Sequence, residues 1–369
     1  MIDSSGKILP IAVYLPQFHP IPENDKWWGK GFTEWTNVAK AKPLFRGHYQ
    51  PHLPADLGFY DLRVQETREA QAQLARQYGI YGFCYYHYWF NGKRLLDRPL
   101  DDMLKTKTPD FPFMICWANE NWTRRWDGQD NEVLMKQEYS PVDDKNHIQF
   151  LLKNFFSDPR YIRVNNKPFF LIYRPKLFPD IRKTLECWRN EARKFGFNDL
   201  YIGYTHSYNF KESPENYGFD CAVEFQPDFA GLPPKIKPGL KERLINKLHH
   251  STADYSKNLV KNKVVSYQEH VDNTIKNAKM DPRVYRMVTP MWDNSARRQK
   301  GAVILNGSTP ALYEKWLRHT VKHVLESQQA EKFIFINAWN EWAEGNHLEP
   351  CQKWGLQYLE ATKNALNDA

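Results

Sequence analysis

The stretch KFIFINAWNEW (332–342) is a short apolar run that ends abruptly in polar and indole side chains. Such near-continuous apolar runs are typical of strands buried on both faces. Seven similar runs precede it, at 8–19, 80–90, 111–122, 167–175, 200–207, 219–227 and 285–294. Helical patterns fit 62–78, 144–157, 180–196, 309–326 and 355–367. Eight strands alternating with helices predict an α/β fold, a (β/α)8 TIM barrel, in preference to a doubly wound sheet.

The length of 369 residues exceeds that of a typical barrel, which takes about 250. The surplus predicts long loops at the C-terminal face of the barrel. Its largest part is a helical insertion at 228–283, between strands six and seven, which could form a lid. Because no internal repeat and no Gly/Ser-rich linker occurs, we expect a single domain over 1–369.

Composition limits the class of protein. With 41% hydrophobic and 25% charged residues the chain reads as globular, and no run reaches the roughly 18 apolar residues of a transmembrane helix. The first 20 residues do not have the pattern of a signal peptide, so we expect a cytoplasmic protein. The five scattered cysteines indicate reduced core thiols. His48 and His52 lie among prolines that exclude a helix, and we expect neither a metal nor a cofactor.

Charge and aromatic content bear on the ligand. The net charge is +8, and segment 228–283 alone holds 11 basic against 6 acidic residues. Since the aromatic residues lie elsewhere, this distribution argues against nucleic acid. Segment 228–283 could contact a lipid-linked or acidic glycan, but a solvated helical insertion is the favoured interpretation of this charge. The 13 Trp and 20 Tyr suit a ligand with apolar faces and hydroxyls, such as an oligosaccharide or polysaccharide.

Polar and indole side chains follow seven of the eight predicted strands. Barrel enzymes place their active sites at the carboxyl ends of the strands, so these side chains are candidates for substrate binding. Any one of them could be an ordinary loop residue, but seven similar strand ends favour a shared site. The candidates at the strand ends are Gln17, His19, His87, Trp89, Trp117, Asn119, Glu120, Trp122, His206, Glu224, Gln226, Trp292, Asn294 and Asn340.

The eighth strand runs directly into Asn340-Glu341-Trp342-Ala343-Glu344. Glycoside hydrolysis uses two carboxyl groups, and Glu341 and Glu344 could both face one cleft. Indoles flank Glu341, and such a setting raises a carboxyl pKa by desolvation. A solvated acidic loop is the alternative, and Glu349 could be a third acidic group.

Several long segments make a family recognisable. They are YLPQFHPIPENDKWWGKGFTEWTNV (14–38), YYHYWFNGKRLLDRPL (85–100), WANENWTRRWDG (117–128), WDNSARR (292–298) and NAWNEWAEGNHLEP (337–350). The chain resembles the WbsX-type proteins of bacterial polysaccharide biosynthesis, a family usually labelled glycosyltransferase. That family is similar to glycoside hydrolase family 99, the endo-α-mannosidase-type barrels. Within these segments, Tyr14, Glu34, Trp35 and Trp342 are further candidates for sugar contacts, with a packed loop core as the alternative for Glu34 and Trp35.

The resemblance implies roles for the two glutamates. In family 99 the first Glu acts as a base on the substrate's own 2-hydroxyl, which attacks the anomeric carbon and gives a 1,2-anhydro sugar. The second Glu protonates the leaving oxygen and then activates water, with net retention. Carried over, Glu341 is the base and Glu344 the acid/base. Ala343 departs from the family, which has a His at that position.

The sequence therefore supports three hypotheses. The first is a glycan-processing enzyme of O-antigen or capsule metabolism that cleaves or transfers an α-linked, manno-type glycoside. The second is a sugar-nucleotide-dependent glycosyltransferase. The sequence has no D-x-D pair and no G-x-G-x-x-G motif, which argues against this hypothesis. The third is a non-catalytic glycan-binding barrel. Arg124, Arg125 and Asp127 could grip an acidic sugar, but an internal ion pair is the favoured interpretation.

Overall fold

The computed structural model describes residues 6–124, 129–207, 210–236, 261–298 and 300–367. Eight parallel strands form its centre, and each pairs with the next along the chain. The strand β1 also pairs with β8, with Ile11 opposite Phe335, so the sheet closes on itself. This confirms the predicted (β/α)8 barrel. The strands are β1 Leu9–Tyr14, β2 Gly82–Phe90, β3 Phe113–Trp117, β4 Lys167–Ile172, β5 Tyr201–His206, β6 Cys221–Glu224, β7 Val284–Val288 and β8 Phe333–Ile336.

Helices lie in the segments between the strands and after the last strand. They are α1 Pro22–Trp28, α2 Glu34–Lys40, α3 Gln65–Gln77, α4 Arg98–Thr106, α5 Pro141–Leu151, α6 Ile181–Lys194, α7 Tyr267–Lys276, α8 Pro310–Leu325 and α9 Gln357–Asn367. The side chain of Thr309 caps α8 by accepting from the backbone N–H of Leu312, and Pro310 occupies its first turn. All five helices predicted from the sequence are confirmed. Between β5 and β6 the described residues form only a 3-10 turn, Pro214–Tyr217.

The interior of the barrel is filled by aromatic rings. The Phe169 ring lies 5.9 Å from that of Tyr285, 6.1 Å from Phe333 and 6.2 Å from Phe335. Gly203 faces this layer, where a Cβ atom would come within 3.2 Å of the Phe169 ring. The strands therefore enclose a packed core, and a ligand can enter only above it, at the rim.

The insertion between β6 and β7 is described in part. Lys263–Ser266 pairs in parallel with Val303–Asn306, which in turn pairs with Trp292–Asp293 beside the rim. The helix α7 follows directly, and the remainder of the predicted insertion, 237–260, lies outside the described residues. None of the described helices has the length and apolar content to cross a membrane.

Candidate active site

A cleft of about 450 Å³ opens at the carboxyl ends of the barrel strands. One wall carries charged and amide groups from the loops after β1, β7 and β8. The opposite wall is aromatic. This is the end of the barrel at which catalytic side chains of such folds converge.

Arg297 organises the charged wall. Its Nη2 lies 2.7 Å from Oε2 of Glu341, and its Nη1 lies 2.7 Å from Oε1 of Glu344. A third carboxylate, Glu34 at the start of α2, lies 3.0 Å from the same guanidinium. The two glutamates named from the sequence therefore meet on one cation that the sequence analysis did not select.

Burial dominates the electrostatics of this cluster. It raises the pKa of Glu341 to about 8, an effect that Arg297 opposes and that the Glu344 and Glu34 carboxylates reinforce. Burial also raises the pKa of Glu34, again against Arg297. The surrounding carboxylates hold the pKa of Arg297 well above its usual range even though the side chain is buried. The guanidinium is therefore a permanent positive charge, and Glu341 and Glu34 keep their protons to a higher pH than exposed glutamates do.

A buried aspartate fixes the loop that carries Arg297. The carboxylate of Asp293 accepts hydrogen bonds from His48 Nε2 at 2.6 Å and Gln50 Nε2 at 2.7 Å. Burial acts against its charge, but the hydrogen bonds from His48 and Ser295 hold the pKa of Asp293 below its usual range. His48 thus has a structural partner. Among the described residues no group of three or more His, Cys, Asp and Glu side chains is arranged to hold a metal ion.

The loop of Glu341 and Glu344 is supported from below. Trp342 Nε1 donates to Glu349 Oε2 at 2.6 Å, and the same carboxyl accepts from Tyr60 and Gln71. Burial raises the pKa of Glu349 to about 7. Since Glu349 is enclosed by these partners and does not line the cleft, it supports the loop and is not a third group facing a ligand.

Seven aromatic rings form the opposite wall. They follow one another around the cleft with successive ring centroids 5.1 to 6.5 Å apart. In order they are Trp122, Tyr88, Tyr86, Tyr173, Phe225, Phe229 and Trp292. Aromatic faces opposite a few fixed polar groups are the usual construction of a small-molecule site.

Two hydrogen-bond donors in the cleft have no partner among the described residues. They are Nε2 of Gln17 and the indole Nε1 of Trp292, both on buried side chains that line the cleft. Buried polar groups are nearly always hydrogen-bonded in native proteins. The two donors are therefore placed for a ligand or for water.

The structure brings several predicted residues together in the cleft and one beside it. Besides Glu341 and Glu344, the cleft is lined by Gln17, Glu120, Trp122, Trp292 and Asn294. Glu120 is held by Arg174 at 2.7 Å, and Asn294 accepts a hydrogen bond from the backbone N–H of Val303. His206 lies in an adjoining pocket that shares part of the aromatic wall.

Other candidates face away from the cleft because side chains alternate along a strand. On β2, Tyr86 and Tyr88 line the cleft, so His87 and Trp89 point outward, toward His147 of α5. His87 Nε2 lies 3.0 Å from His147 Nε2, and the ring centroid of Trp89 lies 4.6 Å from that of His147. Three further strand residues that were predicted to contact substrate also point away from the cleft, because of the same alternation. Trp117 packs on His147, Tyr14 bonds to Gln71 of α3, and Glu224 pairs with Arg286.

The remaining candidates act as internal supports. Asn340 ties the end of β8 to β1 by accepting from Leu15 N–H at 2.7 Å and donating to Leu15 O at 3.0 Å. Asn119 similarly bonds to the backbone N–H and C=O of Arg174. The others do not line the cleft because they are enclosed in the loops: His19, Glu34, Trp35, Gln226 and Trp342. For Trp35 this is the packed loop core given above as the alternative.

Arg124 forms an ion pair as expected, although with Glu132 at 2.8 Å, while 125 and 127 lie outside the described residues. Sequence analysis missed Arg297 and five of the aromatic rings. Arg297 stood within the quoted segment 292–298, and its pairing with three glutamates distant in sequence leaves no local signal. Tyr86 and Tyr88 alternate along β2 with His87 and Trp89, the two residues predicted to contact substrate.

Fold and cleft together define a (β/α)8 barrel with an open cleft of charged and aromatic side chains at the carboxyl ends of its strands. The chain belongs to the family described as "Glycosyltransferase WbsX", whose model matches residues 10–362. It is 44% identical over 361 residues to the uncharacterized protein WxcX of Xanthomonas campestris pv. campestris. That match covers 97% of this chain and 50% of the relative, so the chain spans about half the length of the curated relatives it matches.

Solved structures show the same fold. A glycoside hydrolase-like protein superimposes with a TM-score of 0.59 at 12% identity, covering 99% of this chain and 96% of that one. The GH99 endo-α-mannosidase from Bacteroides thetaiotaomicron superimposes with a TM-score of 0.54 at 14% identity, covering 97% of this chain and 96% of that one. At these identities the likeness concerns the barrel alone.

Proposed function

We propose that the chain is a glycan-processing enzyme that cleaves or transfers an α-linked, manno-type glycoside with retention of configuration. The meeting of Glu341 and Glu344 on Arg297, opposite an aromatic wall, is the observation that carries the proposal. The family described as glycosyltransferase suggests a place in bacterial O-antigen or capsule metabolism. We further propose that 1–369 acts as one catalytic domain, in the cytoplasm, on an oligosaccharide or polysaccharide and without a cofactor.

The proposed reaction assigns one step to each carboxyl group. Glu341 takes the proton of the substrate's 2-hydroxyl as that oxygen bonds to the anomeric carbon, and Glu344 gives its proton to the departing glycosidic oxygen. The resulting 1,2-anhydro sugar is then opened by water or an acceptor hydroxyl, which Glu344 deprotonates while Glu341 returns the first proton. Each carboxyl group ends in its starting state.

Arg297 contacts both carboxyl groups at 2.7 Å, so its charge acts on the two proposed roles together. Glu341 must be ionised to act as a base, and the neighbouring guanidinium favours that form although burial opposes it. Glu344 must carry a proton at the same moment, and its side chain is the more exposed of the two, at 21% against 6%.

The test measures turnover and the configuration of the product. Wild-type protein and the variants Glu341→Gln and Glu344→Gln are incubated with α-linked manno-oligosaccharides, and products are followed by NMR. We expect retained-configuration products from wild type and a loss of at least about a hundredfold in each variant. Glu186→Gln, on the exposed side of α6, is the matched control and should leave turnover unchanged. Unchanged turnover in Glu344→Gln contradicts the role assignment.

A glycosyltransferase is the second candidate, favoured by the description of the family. It would transfer from a nucleotide sugar and release the nucleotide, so nucleotide release is measured in parallel with each donor. A positive result there, without cleavage of oligosaccharides, would replace the hydrolytic proposal. Sugar binding that persists in Glu341→Gln, together with no turnover in either assay, would favour a non-catalytic barrel.

A further inference from the structure

A second pocket of about 300 Å³ adjoins the cleft beside the ends of β5 and β6. Tyr173, Phe225 and Phe229 line both spaces, so the two lie side by side along the aromatic wall. The second pocket is therefore the neighbouring space for a glycan chain whose reacting unit sits at Glu341 and Glu344.

Most of this second pocket is apolar. Phe225, Pro227, Phe229 and Ala230 contribute its surface, and Phe229 is 40% exposed although it is a large hydrophobic side chain. Uncovered apolar surface of this kind next to polar groups is typical of binding sites. A methyl group matches such a surface, whereas a hydroxyl group pointing into it would lose its hydrogen bonds to water.

Asp228 and His206 are polar side chains that line this pocket. The Asp228 carboxylate accepts from Lys211 Nζ at 2.6 Å and from the backbone N–H of Ala230 at 3.2 Å, which orients it. Nε2 of His206 is buried and has no hydrogen-bond partner among the described residues. Burial lowers the pKa of His206 to about 4, so its ring is neutral near pH 7 and can donate from Nε2.

We infer that this pocket binds the N-acetyl group of an amino sugar residue next to the reacting unit. The amide carbonyl accepts from His206 Nε2–H, the amide N–H donates to the Asp228 carboxylate, and the methyl group packs on Phe225 and Phe229. The inference rests on the proposed function for the connection to a glycan chain, and it adds the chemical class of the neighbouring residue.

Ligand-observed NMR tests the inference without any turnover. The probes are methyl N-acetyl-α-D-glucosaminide, methyl α-D-glucoside and methyl α-L-rhamnoside, each titrated against the wild-type protein. We expect the N-acetyl probe to bind at least about tenfold more tightly than the other two, with the strongest saturation transfer to its acetyl methyl group. Equal binding of the glucoside or of the rhamnoside overturns the inference, as does absence of binding by the N-acetyl probe.

Variants then locate the bound probe. His206→Gln and Phe229→Ala should each weaken binding of the N-acetyl probe by about fivefold to tenfold. The matched control is His323→Gln, at the opposite end of the barrel, which should leave binding unchanged. Two different substitutions are used, with thermal unfolding as a check, so that misfolding of one does not decide the result.

The same probe separates this inference from the proposed function. Glu344→Gln should keep binding of the N-acetyl probe while losing turnover. Binding that falls in Glu344→Gln but persists in His206→Gln would place the probe in the main cleft and overturn the inference. Probe binding that depends on His206, in a protein without turnover, would overturn the proposed function alone.

Discussion

Glu341→Gln should change how the stability of the protein depends on pH, because the buried carboxyl group binds its proton more tightly in the folded chain than in the unfolded one. Burial raises its pKa from 4.5 to about 8, with Arg297 opposing and Glu344 and Glu34 adding to the shift. Between these two values the folded state carries a proton that the unfolded state has lost. Stability from this group is thus complete below pH 4.5 and falls as the pH rises toward about 8.

The size of the effect follows from the linkage. A full difference of one proton corresponds to about 1.4 kcal/mol per pH unit, so the loss between about pH 5.5 and 8 is at most about 3 kcal/mol. Glutamine carries no titrating proton, so the variant lacks this loss. For 369 residues, an unfolding entropy of about 2.1 cal/mol/K per residue converts this loss of about 3 kcal/mol into a decrease of about 4 °C in Tm.

Thermal unfolding of wild type and Glu341→Gln across this pH range checks the prediction. Relative to wild type, the variant should gain up to about 4 °C between the acidic and the alkaline end. Glu186→Gln, whose side chain is exposed, should follow wild type at every pH. A difference between Glu341→Gln and wild type that stays constant with pH, or that favours wild type at the alkaline end, refutes the account of Glu341.

Two further substitutions test the loops around the cleft. With Glu341 as the proposed base, Arg297→Gln should move the acidic limb of the kcat/KM profile up by about 1–2 pH units, because Glu341 loses the cation that favours its ionised form. An unmoved limb contradicts this. Gly345→Ala should lower the free energy of unfolding by about 2–4 kcal/mol. Its φ is +53° and a Cβ atom would lie 2.9 Å from that of Asp293. Gly58→Ala, with φ +62° and open space, should cost only about 1 kcal/mol in the same denaturation experiment.

The barrel could be predicted from the sequence because strands buried on both faces appear as apolar runs. The inward-facing side chains of each strand could not be predicted, since an apolar run without alternation does not mark which side chains point inward. His87 and Trp89 looked more functional than Tyr86 and Tyr88, but they occupy the outward positions of β2. The parallel pairing of β2 with β1, in which Ile11 lies opposite Gly82, fixes which side chains of β2 point inward. This pairing exists only in the closed barrel.

Glu341 and Glu344 could be proposed as a pair from the sequence because both follow the same strand and lie three residues apart. Their common partner Arg297 could not be predicted, because it lies 44 residues from Glu341 and 263 residues from Glu34 in the sequence. Contacts of that separation depend on the assembled barrel. The support of Arg297 by Asp293 and His48 depends on it as well.

Stability alone does not account for three carboxyl groups around one buried guanidinium. Burying charges carries a desolvation cost that the ion pairs only partly offset, and apolar replacements of such clusters are often neutral or stabilising. Here the carboxyl groups outnumber the cation, and burial raises the pKa of both Glu341 and Glu34. Groups poised between two protonation states beside a wall of aromatic rings are what proton transfer to a bound sugar requires. The excess of carboxyl groups over cations at Arg297 is therefore the physical reason to seek an enzymatic function in this barrel.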